Sequence, residues 1–244
     1  MIMAKQTNFS ADTHFANPES CTWNLPGSIH IWKFPIGLAD FYLLNKSEKE
    51  LAGRFHFDSD RLRFSTGRQA LRMLASKYLS VRTEDILLSA EKNKKPFIVS
   101  PSNQLHFNIS HSGNWVIIAF GEVELGIDIE QIQINFSFID LLPEHFSIPE
   151  QAFVEEAHDP AFAFYFLWTR KESLTKAWGT GLRQNLKAIS VLDNQSGMHM
   201  NHKTWKFESF NLSSDYPAAI SFEAGIENLL YFDGSGLLNQ SQSK

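Results

Sequence analysis

The alternation of apolar and polar residues predicts a chain that mixes helices and strands. An alternating run marks a first strand at Ser28–Phe34. Apolar residues at near-helical spacing then predict a short helix at Lys46–Phe55 and a longer one at Asp58–Leu79. Three short strands follow, separated by turn residues: Pro96–Val99, Leu105–Ile109 and Trp115–Phe120.

The second half repeats this mixture of elements. It opens with a strand at Leu125–Glu130, and the run Ser147–Glu150 has the form of a capping box that begins a helix. Asp159, followed by proline, begins a longer helix that ends at Gly179. Four strand-like runs close the chain: Ala188–Asp193, Thr204–Phe210, Ala218–Phe222 and Asn228–Phe232.

Because each half holds both helices and strands, the predicted fold is α+β with two lobes of similar size. We expect each lobe to be a small sheet packed against helices. The polar last residues predict a flexible tail. The predicted divisions are an N-terminal extension at 1–27, an N-terminal lobe at 28–124, a C-terminal lobe at 125–233 and the tail at 234–244.

Composition narrows the class of protein. Of the 244 residues, 43% are hydrophobic and 20% are charged, which is typical of a soluble globular chain. The net charge of −5 argues against a nucleic-acid partner. A single cysteine, Cys21, excludes an intramolecular disulfide and fits a cytoplasmic protein. We expect neither a secretory signal nor a membrane helix, since no apolar run approaches about 20 residues.

The strongest chemical signal is the run Gly126-Ile-Asp-Ile-Glu130. On a strand, Asp128 and Glu130 point to one side while Ile127 and Ile129 point to the other, towards a core. Two neighbouring carboxylates repel unless a positive charge joins them, and Mg²⁺ is a suitable ion. The alternative is a solvated edge strand of alternating polarity.

A second signal lies within the long helix, at Trp168–Lys176. Trp168, Glu172 and Lys176 are spaced four residues apart, so they lie along one stripe of the helix. The stripe continues an apolar helix, which suggests that the helix emerges at a cleft. The alternative is an ordinary surface pair of glutamate and lysine.

Two turns are candidates for binding anions. The run Phe107–Trp115 ends a strand in hydroxyls, a histidine and a glycine, and such turns expose backbone N–H groups that hold phosphate. The run Lys92–Pro96 is a basic turn in an acidic chain. Each has an alternative reading, as a plain hairpin turn and as a solvated basic loop.

Together these runs resemble the 4′-phosphopantetheinyl transferases over roughly residues 28–225. The chain length is similar to the surfactin-synthetase-activating type, in which two pseudo-symmetric lobes of one chain hold the active site at their interface. The family's motifs match as follows: G-[IV]-D-[IV]-E at Gly126–Glu130, W-x-x-K-E-[AS]-x-x-K at Trp168–Lys176, F-N-[IV]-S-H-[ST] at Phe107–Ser112, and G-K-P, with lysine for glycine, at Lys94–Pro96.

The resemblance implies that Asp128, Glu130 and Glu172 bind Mg²⁺, with Mn²⁺ as an alternative ion. It implies catalysis by Glu172 as the base, with Glu130 second, and by Lys176 as a positive charge near the leaving group. It further implies a coenzyme A site in which Arg63 and His111 contact the 3′-phosphate, Lys95 and Pro96 flank the adenine, and Ser110 lies along the nucleotide. In this site Lys176 meets the phosphates and Lys171 lies beside them.

The implied reaction moves the phosphopantetheine arm of coenzyme A onto a serine of an apo acyl or peptidyl carrier protein. We expect a monomer. The alternatives are a metal-dependent hydrolase of nucleotides or coenzyme A, and a non-catalytic homologue that binds carrier proteins. One departure is that Ser47 and Glu50 stand where the family has lysines for the 3′-phosphate. The apolar run Ile132–Phe146 is either a docking surface for the carrier or part of the core.

Overall fold

The computed structural model describes residues 12–37, 42–89, 95–101, 105–179, 186–192, 198–200 and 202–239. The strands are β1 (Ser28–Pro35), β2 (Leu87–Leu88), β3 (Ile98–Ser100), β4 (His106–Ser112), β5 (Trp115–Gly121), β6 (Leu125–Ile129), β7 (Met198–Met200), β8 (Lys203–Asn211), β9 (Pro217–Glu223) and β10 (Asn228–Asp233). The helices are α1 (Lys46–Ala52), α2 (Asp58–Leu79), α3 (Leu142–His145), α4 (Ile148–Glu155), α5 (Pro160–Trp178) and α6 (Ser235–Asn239).

The α+β class is confirmed, since two four-stranded sheets each carry one long helix. The first sheet has the strand order β10-β1-β5-β4 and packs against α2. The second has the order β6-β9-β8-β7 and packs against α5. Strands β2 and β3 form a separate small ribbon.

The two sheets pack face to face, and β1 shows why both of its faces are buried. Ile29 and Ile31 point towards the second sheet and share a core with Ile127 of β6. Trp32 and Phe34 point the other way, into the core beneath α2. The alternation predicted for this strand is therefore present, but it separates two cores rather than a core from solvent.

The caps of α5 explain why that helix has the predicted bounds. The side chain of Asp159 accepts a hydrogen bond from the backbone N–H of Phe162 at 2.9 Å. At the other end, Gly179 has a φ of 69°, a left-handed conformation that ends the helix and favours glycine. Both boundary signals in the sequence are confirmed.

The end of the chain differs from the prediction in three ways. Strand β10 pairs in parallel with β1, so this segment belongs to the first sheet and not to the C-terminal lobe. The predicted flexible tail contains α6, whose Leu238 is buried against the first core. The predicted strand at Ala188–Asp193 is wrong for residues 188–192, because Ala188 ends a 3₁₀ turn that begins at Leu186 and residues 189–192 form no strand.

The apolar run Ile132–Phe146 divides between core and surface. Leu142 and Phe146 are buried in the core around α5. Ile134 and Ile139 are exposed, at 94% and 68% of their surface. Within the described ranges, no helix is long and apolar enough to cross a membrane.

Candidate active site

The candidate site lies where β6 of the second sheet passes between α5 and β4. Gly126 allows the approach of β6 to α5, because a Cβ at this position would lie 2.2 Å from the backbone oxygen of Ser173 and 2.3 Å from the backbone nitrogen of Ala177. Helix backbone cannot move aside as a flexible side chain can. Glycine is therefore required here, and it brings the strand's carboxylates within reach of the helix.

Asp128 and Lys176 form the centre of the site. The Lys176 Nζ lies 2.7 Å from Asp128 Oδ1 and donates a further hydrogen bond to Ser110 Oγ at 2.9 Å. Ser110 in turn donates to the same Asp128 oxygen at 2.9 Å. The Asp128 side chain is only 5% exposed and that of Lys176 is 29% exposed, so the pair lies at the edge of the interior.

Two further carboxylates, Glu130 and Glu172, complete what we call the carboxylate cluster with Asp128. Burial, and after it the charge of Asp128, raises the pKa of Glu130 to about 7. The same two causes, in the same order, raise the pKa of Glu172 to about 6. The negative charges of the cluster therefore repel one another, as predicted from the sequence for Asp128 and Glu130.

Two oxygens of the cluster are buried without a hydrogen-bond partner in the described part of the chain, Asp128 Oδ2 and Glu172 Oε1. We call them the open oxygens. A buried carboxylate oxygen without a partner is costly, so such atoms point to a missing cation or donor. Carboxylate oxygens are also the ligands that Mg²⁺ prefers, so the donor set fits a hard cation.

The three carboxylates of the cluster lie further apart in this structure than the ligands of a bound ion. Among residues that the structure describes, no three His, Cys, Asp or Glu side chains are grouped closely enough to hold an ion. The positive charge next to Asp128 is instead the ammonium group of Lys176. The chemistry of the donors fits a cation, whereas their arrangement is that of a cluster of repelling charges.

Strand β4 holds the cluster from the side of the first lobe, a feature that the sequence did not reveal. Three alternate side chains of β4 face β6: Asn108, Ser110 and Ser112. Asn108 Oδ1 accepts from the backbone N–H of Ile127 at 2.8 Å. Ser112 Oγ donates to Glu130 Oε2 at 3.0 Å and accepts from the backbone N–H of Gln131 at 2.9 Å. The alternation of these three polar side chains along β4 is the pattern in the sequence that could have predicted this contact.

Comparison with known proteins identifies the family. Residues 124–221 match the model of the 4′-phosphopantetheinyl transferase superfamily, and residues 38–123 match that of the 4′-phosphopantetheinyl transferase N-terminal region. The 4′-phosphopantetheinyl transferase Sfp of Bacillus subtilis (strain 168) is 30% identical over 184 residues, covering 72% of this chain and 81% of that protein. The chain belongs to the 4′-phosphopantetheinyl transferase superfamily.

Other relatives carry the same activity in their names. A 4′-phosphopantetheinyl transferase of Bacillus subtilis is 29% identical over 201 residues, or 77% of this chain and 88% of the relative. The L-aminoadipate-semialdehyde dehydrogenase-phosphopantetheinyl transferase of Mus musculus is 27% identical over 248 residues, or 84% and 80% of the two chains. As a member of this superfamily, the chain is a transferase that places phosphopantetheine on carrier proteins.

One residue of the transferase motif does not join the cluster. The Lys171 ammonium group is fully buried, lies 2.9 Å from Glu150 Oε2, and donates to the backbone oxygens of Leu186 at 2.9 Å and Ile189 at 2.6 Å. These three acceptors use all three of its N–H donors. No N–H donor of Lys171 is therefore free for the phosphates of coenzyme A, beside which it was predicted to lie, and its ammonium group holds the segment after α5.

The predicted ligands of the 3′-phosphate, Arg63 and His111, lie at the open end of β4. Arg63 donates to the backbone oxygen of Gly113 at 2.9 Å and forms an ion pair with Asp60 at 2.6 Å. His111 is exposed at the surface, yet partial desolvation, and after it the charges of Lys176 and Arg63, lower its pKa. The structure therefore places Arg63 at the turn that follows β4, and His111 within the influence of the charges of Arg63 and Lys176.

Lys95 and Pro96 lie at the other end of the site, where they line a cavity of about 380 Å³ between the lobes. The Lys95 Nζ donates to the backbone oxygen of Leu125, the first residue of β6. Burial lowers the pKa of Lys95 to about 8. The rest of the basic turn, Lys92–Lys94, lies outside the described residues.

Proposed function

We propose that the chain is a transferase of the surfactin-synthetase-activating type that acts as a monomer on an apo acyl or peptidyl carrier protein. Its co-substrate is coenzyme A. Both lobes of a single chain contribute to the site, since β6 and α5 supply the carboxylate cluster and β4 supplies Ser110 and Ser112. This arrangement supports a site that needs no second subunit.

The observation that carries the proposal is the pair of open oxygens beside the ammonium group of Lys176. A structural ion pair gains nothing from leaving carboxylate oxygens buried and uncompensated. A site for a polyanionic substrate and its counter-ion does need such oxygens, because the cation that neutralises the substrate is held by them.

Asp128, Glu130 and Glu172 would hold Mg²⁺, or Mn²⁺ in its place. When bound, the ion would neutralise the diphosphate of coenzyme A and orient it for attack. The hard oxygen donors of the cluster and the two open oxygens support this assignment.

The residues around the cluster have separate tasks in the transfer. The serine hydroxyl of the carrier attacks the β-phosphorus of coenzyme A, so a new O–P bond forms and the bond to 3′,5′-ADP breaks. Glu172 takes the proton of that serine, with Glu130 as the second candidate. Lys176, which reaches the cluster from α5, stabilises the negative charge that develops on the 5′-phosphate of the leaving 3′,5′-ADP.

The nucleotide part of coenzyme A would lie along β4 and β6. Arg63 and His111 would contact the 3′-phosphate at one end, and Lys95 and Pro96 would flank the adenine at the other. Ser110, which lies between the two ends, already donates to Asp128 and accepts from Lys176. It therefore lies beside the path of the nucleotide.

A direct test is mass spectrometry of apo carrier proteins incubated with the enzyme, coenzyme A and Mg²⁺. We expect a mass gain of about 340 Da, the mass of one phosphopantetheine arm. The substitution Asp128→Asn keeps the shape of the side chain but removes its charge, and should slow transfer by roughly a hundredfold to a thousandfold.

The matched control is Asp12→Asn, because Asp12 is an exposed aspartate outside the cluster and outside the run Ile132–Phe146. Transfer by this variant should equal that of the unmodified chain. If Asp128→Asn transfers as fast as the control, the cluster is not the site. Release of free phosphopantetheine without a carrier would indicate a hydrolase instead.

A further inference from the structure

The cavity between the lobes contains a fixed carboxylate that the transfer chemistry does not use. Its walls include apolar and aromatic side chains, among them Pro96, Phe107 and Trp178. Its polar groups include Lys95, His106 and Glu124. Apolar and aromatic walls with a few polar groups are typical of a site for a small molecule.

Two elements connect this cavity to the carboxylate cluster over a short distance. Glu124, which leads into β6, precedes Asp128 by four residues, or about 13 Å along an extended chain. On α5, Trp178 follows Glu172 by six residues, or about 9 Å along a helix. One ribose and its linking bonds separate the base from the diphosphate in a nucleotide. Given the proposed function, a diphosphate held at the cluster places its base in this cavity.

Glu124 is held in a defined position at the cavity wall. Its Oε2 lies 3.1 Å from the Lys203 Nζ, and the same Nζ lies 2.8 Å from Glu223 Oε2. The Glu124 side chain is 45% exposed, so it is open to a ligand. An ionised carboxylate only accepts hydrogen bonds.

We propose that Glu124 selects a purine with an amino group at its position 6 by accepting a hydrogen bond from that group. The inference rests on the proposed function, because that function places the base in the cavity. A purine with an oxygen at position 6 brings a second acceptor against the carboxylate, and two acceptors repel. Adenine therefore fits the wall at Glu124, and hypoxanthine does not.

Lys95 and His106 complement this selection. Burial is the largest cause of a lowered pKa at His106, so its ring is neutral and offers one donor and one acceptor nitrogen. Lys95 supplies N–H donors at the same wall. Adenine presents a donor at position 6 beside acceptor nitrogens in its rings. The two residues are suited to those acceptors, and Glu124 to the donor.

The test compares kcat/KM for coenzyme A and for its analogue with hypoxanthine in place of adenine. We expect the unmodified enzyme to favour coenzyme A by about tenfold, the effect of one hydrogen bond to a charged group at a partly exposed site. Glu124→Gln should reduce this preference to about twofold, because a carboxamide both donates and accepts.

Glu223→Gln is the matched control. Glu223 shares the same lysine, but it is not among the described residues that line the cavity. This variant should keep the tenfold preference. An unchanged preference in Glu124→Gln, or no preference in the unmodified enzyme, would overturn the inference while leaving the proposed function intact. Failure of the unmodified enzyme to use coenzyme A at all would overturn both.

Discussion

Helix α5 carries two lysines that each pair with a buried carboxylate, and the two pairs differ in their exposure and in their hydrogen bonds. Lys171 and Glu150 lie 2.9 Å apart, with both side chains fully buried. Lys176 and Asp128 lie 2.7 Å apart, with Lys176 29% exposed. Both lysines belong to one nine-residue motif, so proximity in sequence does not give them one role.

The two pairs differ in how many of their hydrogen-bonding atoms have a partner. Glu150 accepts from Lys171, from the backbone N–H and hydroxyl of Ser147 and from the backbone N–H of Val191. This pair is closed, because both carboxylate oxygens and all three ammonium protons are used. The pair at Asp128 leaves one carboxylate oxygen open in the part of the chain described here. A closed pair stabilises the fold, whereas an open pair is available to bind a substrate or an ion.

The largest effect should come from breaking the closed pair. Lys171→Met leaves the charge of Glu150 buried without its partner and should lower the free energy of unfolding by about 3–5 kcal/mol. Urea unfolding followed by circular dichroism measures this. The double variant Lys171→Met with Glu150→Gln removes both charges and should recover at least half of the loss.

The double variant also separates the two roles considered for Lys171. If Lys171 only holds the segment after α5, the double variant should regain transfer along with stability, and its KM for coenzyme A should be unchanged. Recovery of stability with a KM for coenzyme A raised tenfold or more would mean that Lys171 does contact the substrate.

Changing the open pair should affect the reaction more than the fold. Lys176→Met should lower kcat by about a hundredfold, as expected for loss of one charge that stabilises a transition state. The cost in unfolding free energy should be smaller than for Lys171→Met, because Lys176 is partly exposed and water can reach the site. Single-turnover transfer and urea unfolding of the same sample measure both effects. If kcat falls less than threefold, Lys176 is only a partner of Asp128.

Part of the difference between the two lysines can be predicted from the sequence. Five residues along a helix turn the side chain by about 140°, so Lys171 and Lys176 cannot face the same site. Glu172 and Lys176 are four apart and share a face. Helical geometry therefore predicts that Lys176 and not Lys171 faces the site together with Glu172, whereas the family motif alone implies that both lysines belong to the site. The partner of Lys171 was not predictable, since Glu150 is on another helix.

Local signals in the sequence predicted the elements well, and long-range contacts were the main source of error. The caps at Asp159 and Gly179 gave the bounds of α5 because they act within one turn of the helix. The strand at Asn228–Phe232 was predicted, but its partner β1 lies about 200 residues earlier, and no local pattern specifies that pairing. The need for glycine at Gly126 likewise depends on the backbone of α5.

The smallest effect should come from the support that β4 gives to the open pair. Ser112→Ala removes the hydroxyl that donates to Glu130 and accepts from the backbone of Gln131. Transfer should slow by about tenfold, and the free energy of unfolding should fall by about 1 kcal/mol. Ser112→Thr keeps the hydroxyl and should restore the rate, which a loss of packing alone would not allow. Ser214→Ala, at an exposed turn, is the control. If the threonine variant is as slow as the alanine variant, the hydroxyl does not position Glu130, and the carboxylate cluster depends on β6 and α5 alone.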